Sequence, residues 1–409
     1  MKLAVVCPHF EPDLAPTGAV ITRIVHELAG RGHTIEVLTS LPWYRDHSIE
    51  PGYEGKWTRH EDVPWGRITR MNPFPTQDKR NILRRAAAFG GFSALAAAQG
   101  MRGDPVDGVL AMSPPLTLGL TGWAVAKKRK APLVFNIQDV YPDVAIEVGA
   151  LKGKRAIAAA YRLERLCYAR SDAITVLSND LKDNLTAKLD DPAKVHVIPN
   201  FVDTEAIRPG DRENSYRAEH GLTGKTVVMY AGNVGLSQSF ELILAAATAL
   251  SYEEDLAFVI NGGGSALDEL KEKAAGLANV VFAPMQPVER LSEVLAAADI
   301  HLVPLKRGLA RSSVPSKTYS ILAAGRPVVA SVDAGSEVAR ILASADAGLA
   351  VPPEDSEAFT KAIRTLLDDP ARTASMGASG RGFVESWASP AAVARAYEEL
   401  FGTLNPRSV

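Results

Sequence analysis

The stretch "YAGNVGLSQSFELILAA", residues 230–246, decides the fold. It completes an apolar run begun at Thr226, "TVVMYAG", breaks at Gly232-Asn233-Val234-Gly235, and resumes as a helix. A nearly continuous apolar run suits a strand covered on both faces. Such strands alternating with helices read as βαβ units around a parallel sheet. The pattern extends toward the C-terminus through "AFVING" (257–262), "VVFAPM" (280–285), "IHLVPL" (300–305), "PVVAS" (327–331) and "GLAVPP" (348–353). Helices are expected near 239–250, 266–275, 288–298 and 316–324.

Toward the N-terminus the alternation recurs. "LAVVCP" (3–8), "TIEVLTS" (34–40), "GVLAMS" (108–113), "PLVFNI" (132–137), "AITVLS" (173–178) and "VHVIPN" (195–200) read as strands, with a helix over 22–32. Residues 201–225 are polar and rich in charge, and read as the connection between two domains. A chain of 409 residues is too long for one ordinary core. The expected fold class is therefore α/β, two doubly wound Rossmann-like domains in tandem. Ligands of such sheets bind beyond the carboxyl ends of the strands, so two facing domains would put the site in the cleft between them.

Composition narrows the class. With 46% apolar and 22% charged residues, the chain is that of a soluble globular protein. Two cysteines, Cys7 and Cys167, exclude a disulfide scaffold and fit a reducing compartment. The strand-like "KLAVVCP" at residue 2 does not read as a signal peptide. No apolar run reaches the roughly 18–20 residues that span a bilayer. The closest, "AAAFGGFSALAAA" (86–98), follows the basic "KRNILRR" and reads as a buried helix or one that touches a membrane surface. Residues 1–200 carry 26 Lys+Arg against 21 Asp+Glu, a net +5, and the remainder is −7. A basic first half suits an anionic acceptor or membrane surface, against ordinary surface variation. No aromatic-studded basic run argues for nucleic acid.

Three strand–glycine–helix junctions are candidate ligand loops. Gly18 stands where a helix is entered after the first strand, Gly232 and Gly235 after the seventh, and Gly263 in "INGGGSALDELKEKA" (260–274). Glycine lets backbone approach a ligand, and a helix N-terminus offers N–H groups to phosphate. A plain loop is the alternative at each. In "PSKTYSILAAGRPVVAS" (315–331), Ser316 can cap a helix whose first turn holds Lys317. The helix dipole disfavours a cation there, so the lysine is best explained by an anion that it meets.

In these segments and their order, the whole chain resembles family 4 of the retaining glycosyltransferases, which have the GT-B fold. The match also draws on "NIQDVYPD" (136–143), "VHVIPNFVDTEAIRP" (195–209) and "WASPAAVARAYEEL" (387–400). The similar branch is bacterial and builds cell-surface or lipid-linked glycans. The resemblance implies an acceptor domain over 1–204, a nucleotide-sugar domain over 205–389, and a C-terminal helix (390–409) crossing back to the first. It implies transfer of a hexosyl or N-acetylhexosaminyl group from a nucleotide-diphosphate sugar to a hydroxyl of a glycan or polyprenyl-linked acceptor. A UDP-sugar is favoured, with GDP-sugar open. The donor-binding set it implies is Gly18, Gly232, Asn233, Gly235, Gly263, Met285, Arg311, Ser312, Ser313, Pro315, Ser316, Lys317, Ser320 and Glu337. Catalytic roles fall to Asp139, Gln138 and Lys317, with His9 a weaker candidate.

The chain departs from the family pattern at the donor site. Two customary glutamates are Ser312 and Ser320, and a customary Arg and Lys correspond to Asn233 and Gln238. Removing cations from a diphosphate site without replacement costs several kcal/mol. Lys306, Arg307, Arg311 and Lys317 are available replacements, and Glu337 could accept from ribose hydroxyls. Proteins of this type work by positioning and electrostatics, without a protein nucleophile. No paired-carboxylate, His/Cys or Asp-x-Asp pattern suggests a metal, so no cofactor is expected. The expected location is the cytoplasm, with peripheral contact at the inner membrane face through residues 79–98. The rival readings are a sugar-nucleotide epimerase of the same fold and a non-catalytic protein with a degenerate donor site.

Overall fold

A computed structural model describes residues 1–13, 15–75, 82–147, 149, 151–235, 237–308 and 316–405, without the side chains of 82–86, Glu147 and Ser316. The first sheet is built from β1 (Lys2–Val6), β2 (Thr34–Ser40), β3 (Thr58–Val63), β4 (Gly66–Met71), β5 (Gly108–Ser113), β6 (Leu133–Ile137), β7 (Ala173–Val176) and β8 (Val195–Val197). Its order is β3-β4-β2-β1-β5-β6-β7-β8, parallel except for β3 against β4. The second contains β9 (Thr226–Ala231), β10 (Leu256–Asn261), β11 (Val280–Ala283), β12 (Ile300–Pro304), β13 (Val328–Ser331) and β14 (Gly348–Val351). Its order is β11-β10-β9-β12-β13-β14, all parallel. The α/β class and the two Rossmann-like sheets are those read from the sequence.

All twelve apolar runs are strands; the central β1, β5, β6 and β10 are buried on both faces, and the edge strands β8, β11 and β14 only partly. The β3–β4 hairpin was not expected. "TRHEDV" contains no fully buried residue, so it offers no apolar run to detect. A polar edge strand of this kind resists pairing with other chains.

The chain divides into two compact units, Met1–Asn200 with the segment from Pro390 onward, and Phe201–Ser389. The helix Pro390–Leu404 is part of the first unit. Its Tyr397 hydroxyl accepts from Asn136 at 2.9 Å, and its Glu398 accepts from Arg31 Nε (2.8 Å) and pairs with His33 (3.0 Å). Phe401 fills the space a side chain at Gly108 would need.

Residues 201–225 are not a free connection. The short helix Ser215–Glu219 docks on the second unit through Arg217, which is fully buried. Its guanidinium donates to Asp299 (2.7 Å), Glu213 (2.6 Å) and the carbonyls of Ala297 and Lys225 (both 2.8 Å). A polar composition hid this segment because its anchor is a charge satisfied on every side.

The two cysteines are core filler. Burial pushes both thiols up to about 12, so neither forms a nucleophilic thiolate near neutral pH.

Candidate active site

In the second unit the carboxyl ends of β9 and β10 meet the helix Ser316–Ala323. Lys317 lies in the first turn of that helix. Its ammonium donates to the Tyr230 hydroxyl at 2.9 Å and stands 4.3 Å from the ring centroid. Tyr230 in turn donates to the Asn233 carbonyl at 2.5 Å. Among the described residues no carboxylate pairs with Lys317. Burial without a counter-charge pulls its ammonium from 10.5 down to about 8. A cation–π contact and one neutral hydrogen bond hold the cation in place without neutralising it. The arrangement is pre-charged for an anion.

The glycines around it serve close packing. A side chain at Gly232 would meet Lys317 Nζ at 3.2 Å. One at Gly262 would fall 1.9 Å from the Gly232 carbonyl, and one at Gly264 would fall 2.3 Å from that of Val234. Gly263 itself has open space around its missing Cβ. The N–H of Gly232 donates to Asn261 (2.9 Å), that of Val234 to Gly263 (2.9 Å), and that of Gly235 to Gln238 Oε1 (3.1 Å). The expectation that Gly232 and Gly235 turn their N–H groups toward a diphosphate is therefore corrected. The Gly232 N–H is already bonded to the end of β10 and the Gly235 N–H to Gln238 of its own loop, while Gly262 and Gly264 let the two loops touch.

The remaining donor-site candidates divide. Asn233 is exposed and contributes its carbonyl to Tyr230. Gln238 folds back on its own loop, donating to Ser237 at 2.9 Å. Met285 is exposed beyond β11. Ser320 is half-buried on the Lys317 helix. Glu337 is buried in the first turn of the helix Glu337–Ser344 and pairs with Arg340 at 2.8 Å, while Ser336 is the N-cap. Burial first, and the Glu337 charge second, push the Tyr319 hydroxyl upward. Arg307 is drawn away, to the Pro353 carbonyl (3.2 Å) and Glu354 (3.7 Å). Arg311, Ser312, Ser313 and Pro315 lie outside the described residues, as does the Ser316 side chain.

The first unit holds a pocket of about 490 Å³ beyond β1, β5 and β6. Its walls include Trp43, Tyr44, Phe74 and Phe89, with His9, Thr17, His47 and Asp139 among its polar groups. His9 Nδ1 pairs with Asp13 Oδ2 at 2.7 Å, and Asp13 Oδ1 accepts from the Tyr44 N–H at 3.1 Å. Asp13 is 3% exposed, so the pair is fixed from beneath. An ionised Asp13 holds the proton on Nδ1 and leaves Nε2 as an acceptor. The ring sits 5.6 Å from Trp43 and 5.4 Å from Tyr44. Gly18 lies inside the helix Pro16–Gly30, and a Cβ there would come 2.9 Å from His9 Cβ. Its small size makes room for His9 and does not open the backbone to a ligand.

Asp139 stands exposed at this pocket, and partial desolvation raises its carboxyl above the ordinary range. Gln138 points elsewhere. It is buried, donates to Asn136 at 2.7 Å and accepts from Asn200 at 2.9 Å, so it braces the strand end. Sequence reading missed Asp13, Trp43, Tyr44 and Tyr230. The His9-to-Asp13 spacing was visible, but it lies in a proline-rich loop where spacing does not fix geometry. Among the described residues no group of three or more His, Cys, Asp or Glu could hold a metal, and no helix is long and apolar enough to cross a membrane.

Residues 225–369 match the family described as "Glycosyl transferases group 1", and residues 17–200 match the "Glycosyl transferase 4-like domain". The chain is 31% identical over 307 residues to the probable glycosyltransferase WbjE of Pseudomonas aeruginosa, spanning 72% of this chain and 75% of that one. It is 29% identical over 380 residues to the putative colanic acid biosynthesis glycosyl transferase WcaI of Escherichia coli K12, spanning 90% and 92%. The solved structure of HepE from Anabaena in complex with UDP shares the fold, with a TM-score of 0.64 and 14% identity over 99% of this chain and 100% of that one. The chain belongs to the group 1, GT4-like glycosyltransferases of the GT-B fold and is an enzyme of that class.

Proposed function

We propose that the protein moves a sugar from a nucleoside-diphosphate donor, a UDP-sugar in preference to a GDP-sugar, to a hydroxyl of a glycan or polyprenyl-linked acceptor, with retention of configuration. The observation that carries this reading is Lys317, an ammonium with no carboxylate partner among the described residues, beside the glycine-packed ends of β9 and β10. A diphosphate restores the counter-charge that burial withholds. The second unit is accordingly the donor unit, and the pocket of the first unit takes the acceptor. UDP bound in HepE and the colanic acid biosynthesis that WcaI is named for support the nucleotide and the surface-glycan acceptor.

In this mechanism Lys317 stabilises negative charge on the leaving diphosphate as the sugar becomes oxocarbenium-like. The leaving oxygen takes the proton of the acceptor hydroxyl on the same face. His9 Nε2 and Asp139 orient that hydroxyl, and the aromatic walls exclude water from it. Lys317 supplies the positive charge, so the reaction runs without a divalent metal, and a chelator leaves the rate unchanged. The enzyme works in the cytoplasm, at the inner membrane face where a polyprenyl-linked acceptor is exposed.

The test is turnover of UDP- and GDP-sugars with a polyprenyl-diphosphate-linked saccharide, with product stereochemistry read by NMR. An α-donor giving an α-linked product supports retention, and a β-linked product contradicts it. Turnover with GDP-sugars alone would contradict the nucleotide preference.

A further inference from the structure

We infer that the first unit docks on an anionic lipid surface through the exposed face of the helix Lys154–Arg170 and the adjoining end of the helix Leu118–Arg129. The proposal rests on the membrane-linked acceptor reading above and names the surface that serves it.

The two helices pack side by side. Residues 118–130 and 151–170 contain ten Lys and Arg and one acid, Glu164, in a chain that carries 45 basic and 47 acidic residues in all. Glu164 is 1% exposed and pairs inward with Lys188 at 3.0 Å, so it does not offset the surface. Of the ten cations only Arg129 is buried, paired with Glu36 at 2.7 Å. The other nine are exposed, and none has a carboxylate partner among the described residues. Without these ten cations and Glu164, residues 1–200 would hold sixteen basic against twenty acidic residues. The positive excess of that half therefore resides in this patch.

The arrangement within the helix is directional. Arg155, Arg162 and Arg165 recur at helical spacing with Ala158, Ala159, Leu166 and Ala169 between them, all exposed. Over its 17 residues the helix runs about 25 Å, so the stripe is long and straight. Soluble surface helices usually interleave acids with bases, which gains (i, i+4) pairs. Here like charges adjoin, and Lys154 and Arg155 occupy a first turn where the dipole opposes cations. The face is locally unfavourable in water and favourable against a sheet of negative charge. Small alanines and Leu166, 43% exposed, let the backbone approach headgroups closely. At the far end Arg170 and Lys127 lie over the Trp123 ring, at 4.6 and 5.3 Å, so Trp123 is covered by cations of the patch itself and is not free to stack on a base. That favours a lipid surface over nucleic acid.

The residues first suspected of membrane contact, 79–98, are placed differently. Residues 79–81 lie outside the described residues, and Phe92 and Ala96 of the helix Ile82–Gly100 are core. That helix packs on Leu118–Arg129, so the basic face continues the same side of the unit.

The experiment is sedimentation of the full chain with vesicles of phosphatidylcholine alone and of phosphatidylcholine mixed with phosphatidylglycerol, at low and high salt. The variants are Arg162→Glu/Arg165→Glu and, as a control with the same charge change in the second unit, Lys361→Glu/Arg372→Glu. Binding only to the mixed vesicles, weakened by salt, is expected. The first variant should weaken it about tenfold or more, and the control should retain it. Unfolding temperature and UDP titration of each variant separate misfolding and donor-site loss from lost docking. Equal loss in both variants, absence of binding to mixed vesicles, or binding to soluble DNA or dextran sulfate without binding to vesicles would each overturn the proposal. UDP binding that persists in those cases would leave the transferase reading standing.

Discussion

Lys317 in one unit and His9 in the other both stand beyond the carboxyl ends of parallel strands, against aromatic rings, yet they are held in opposite ways. His9 has a buried carboxylate beneath it, Asp13 at 2.7 Å, and the pocket around it is walled by rings. Lys317 has a phenol and a ring face and no paired carboxylate among the described residues. A ring already held from beneath by a buried carboxylate suits a neutral, polyhydroxylated partner. A site whose charge is unbalanced waits for an anion. The difference assigns donor and acceptor to the two units more directly than the glycine loops do, since those N–H groups are spent on packing.

The largest effect expected is at Lys317. Lys317→Ala should lower the transfer rate by about 10²–10³, the loss typical of removing one preorganised donor to developing negative charge. Lys317→Met should raise the melting temperature while weakening nucleotide binding about tenfold or more, because it removes a desolvated cation. If both variants transferred sugar normally, the contrast between the two sites would collapse.

The pH dependence sharpens the same contrast. The folded-state value of Lys317 lies near 8 against 10.5 for the free side chain. Below about 8 both states carry the proton, and the fold bears the whole cost of the buried charge. Between about 8 and 10.5 the unfolded chain holds a proton that the folded chain has lost, so this group's contribution to stability rises with pH. Nucleotide binding needs the ammonium and runs the other way. UDP affinity should be flat below pH 8 and fall about tenfold per unit above it, with proton uptake on binding. Calorimetry across pH checks both signs.

A smaller effect is expected beneath His9. Asp13→Asn should lower kcat about tenfold and leave UDP affinity unchanged, since both partners of Asp13, the His9 imidazole and the Tyr44 N–H, belong to the first unit's pocket. A parallel loss of UDP binding would show that the pocket is not a separate acceptor site. The smallest effect is at Gly18. Gly18→Ala puts a Cβ 2.9 Å from His9 and 3.2 Å from the Asp13 carbonyl. It should cost about 1–2 kcal/mol of stability and reduce turnover only modestly, as chemical denaturation and initial rates would show.

The fold was largely legible in the sequence. Strands of parallel sheets announce themselves as apolar runs, and twelve did, even where an edge strand such as β14 is only partly buried. The β3–β4 hairpin was not legible, because β3 has no fully buried residue and β4 buries Thr69 and Arg70 beside Ile68 and Met71, so neither strand is an apolar run. Nor was the Arg217 clamp, since a buried arginine looks like any other charge until its partners are seen. At the site, Lys317 was legible because a cation in a helix's first turn is locally out of place. Tyr230 was not, since its role comes from a contact 87 residues away in sequence. The glycines were found for a reason the structure alters. Glycine marks close approach, but sequence cannot say whether the approaching group is a ligand or another loop. Membership of the glycosyltransferases removes the epimerase and non-catalytic readings.

The most direct measurement is a calorimetric titration of UDP into the wild-type chain and into Lys317→Ala at neutral pH. Binding to the wild type, weakened about tenfold or more in the variant, corresponds to a loss of about 1.4 kcal/mol or more and places the diphosphate against Lys317. Equal affinity in the two proteins, or no binding to either, would contradict the assignment of the donor to this site.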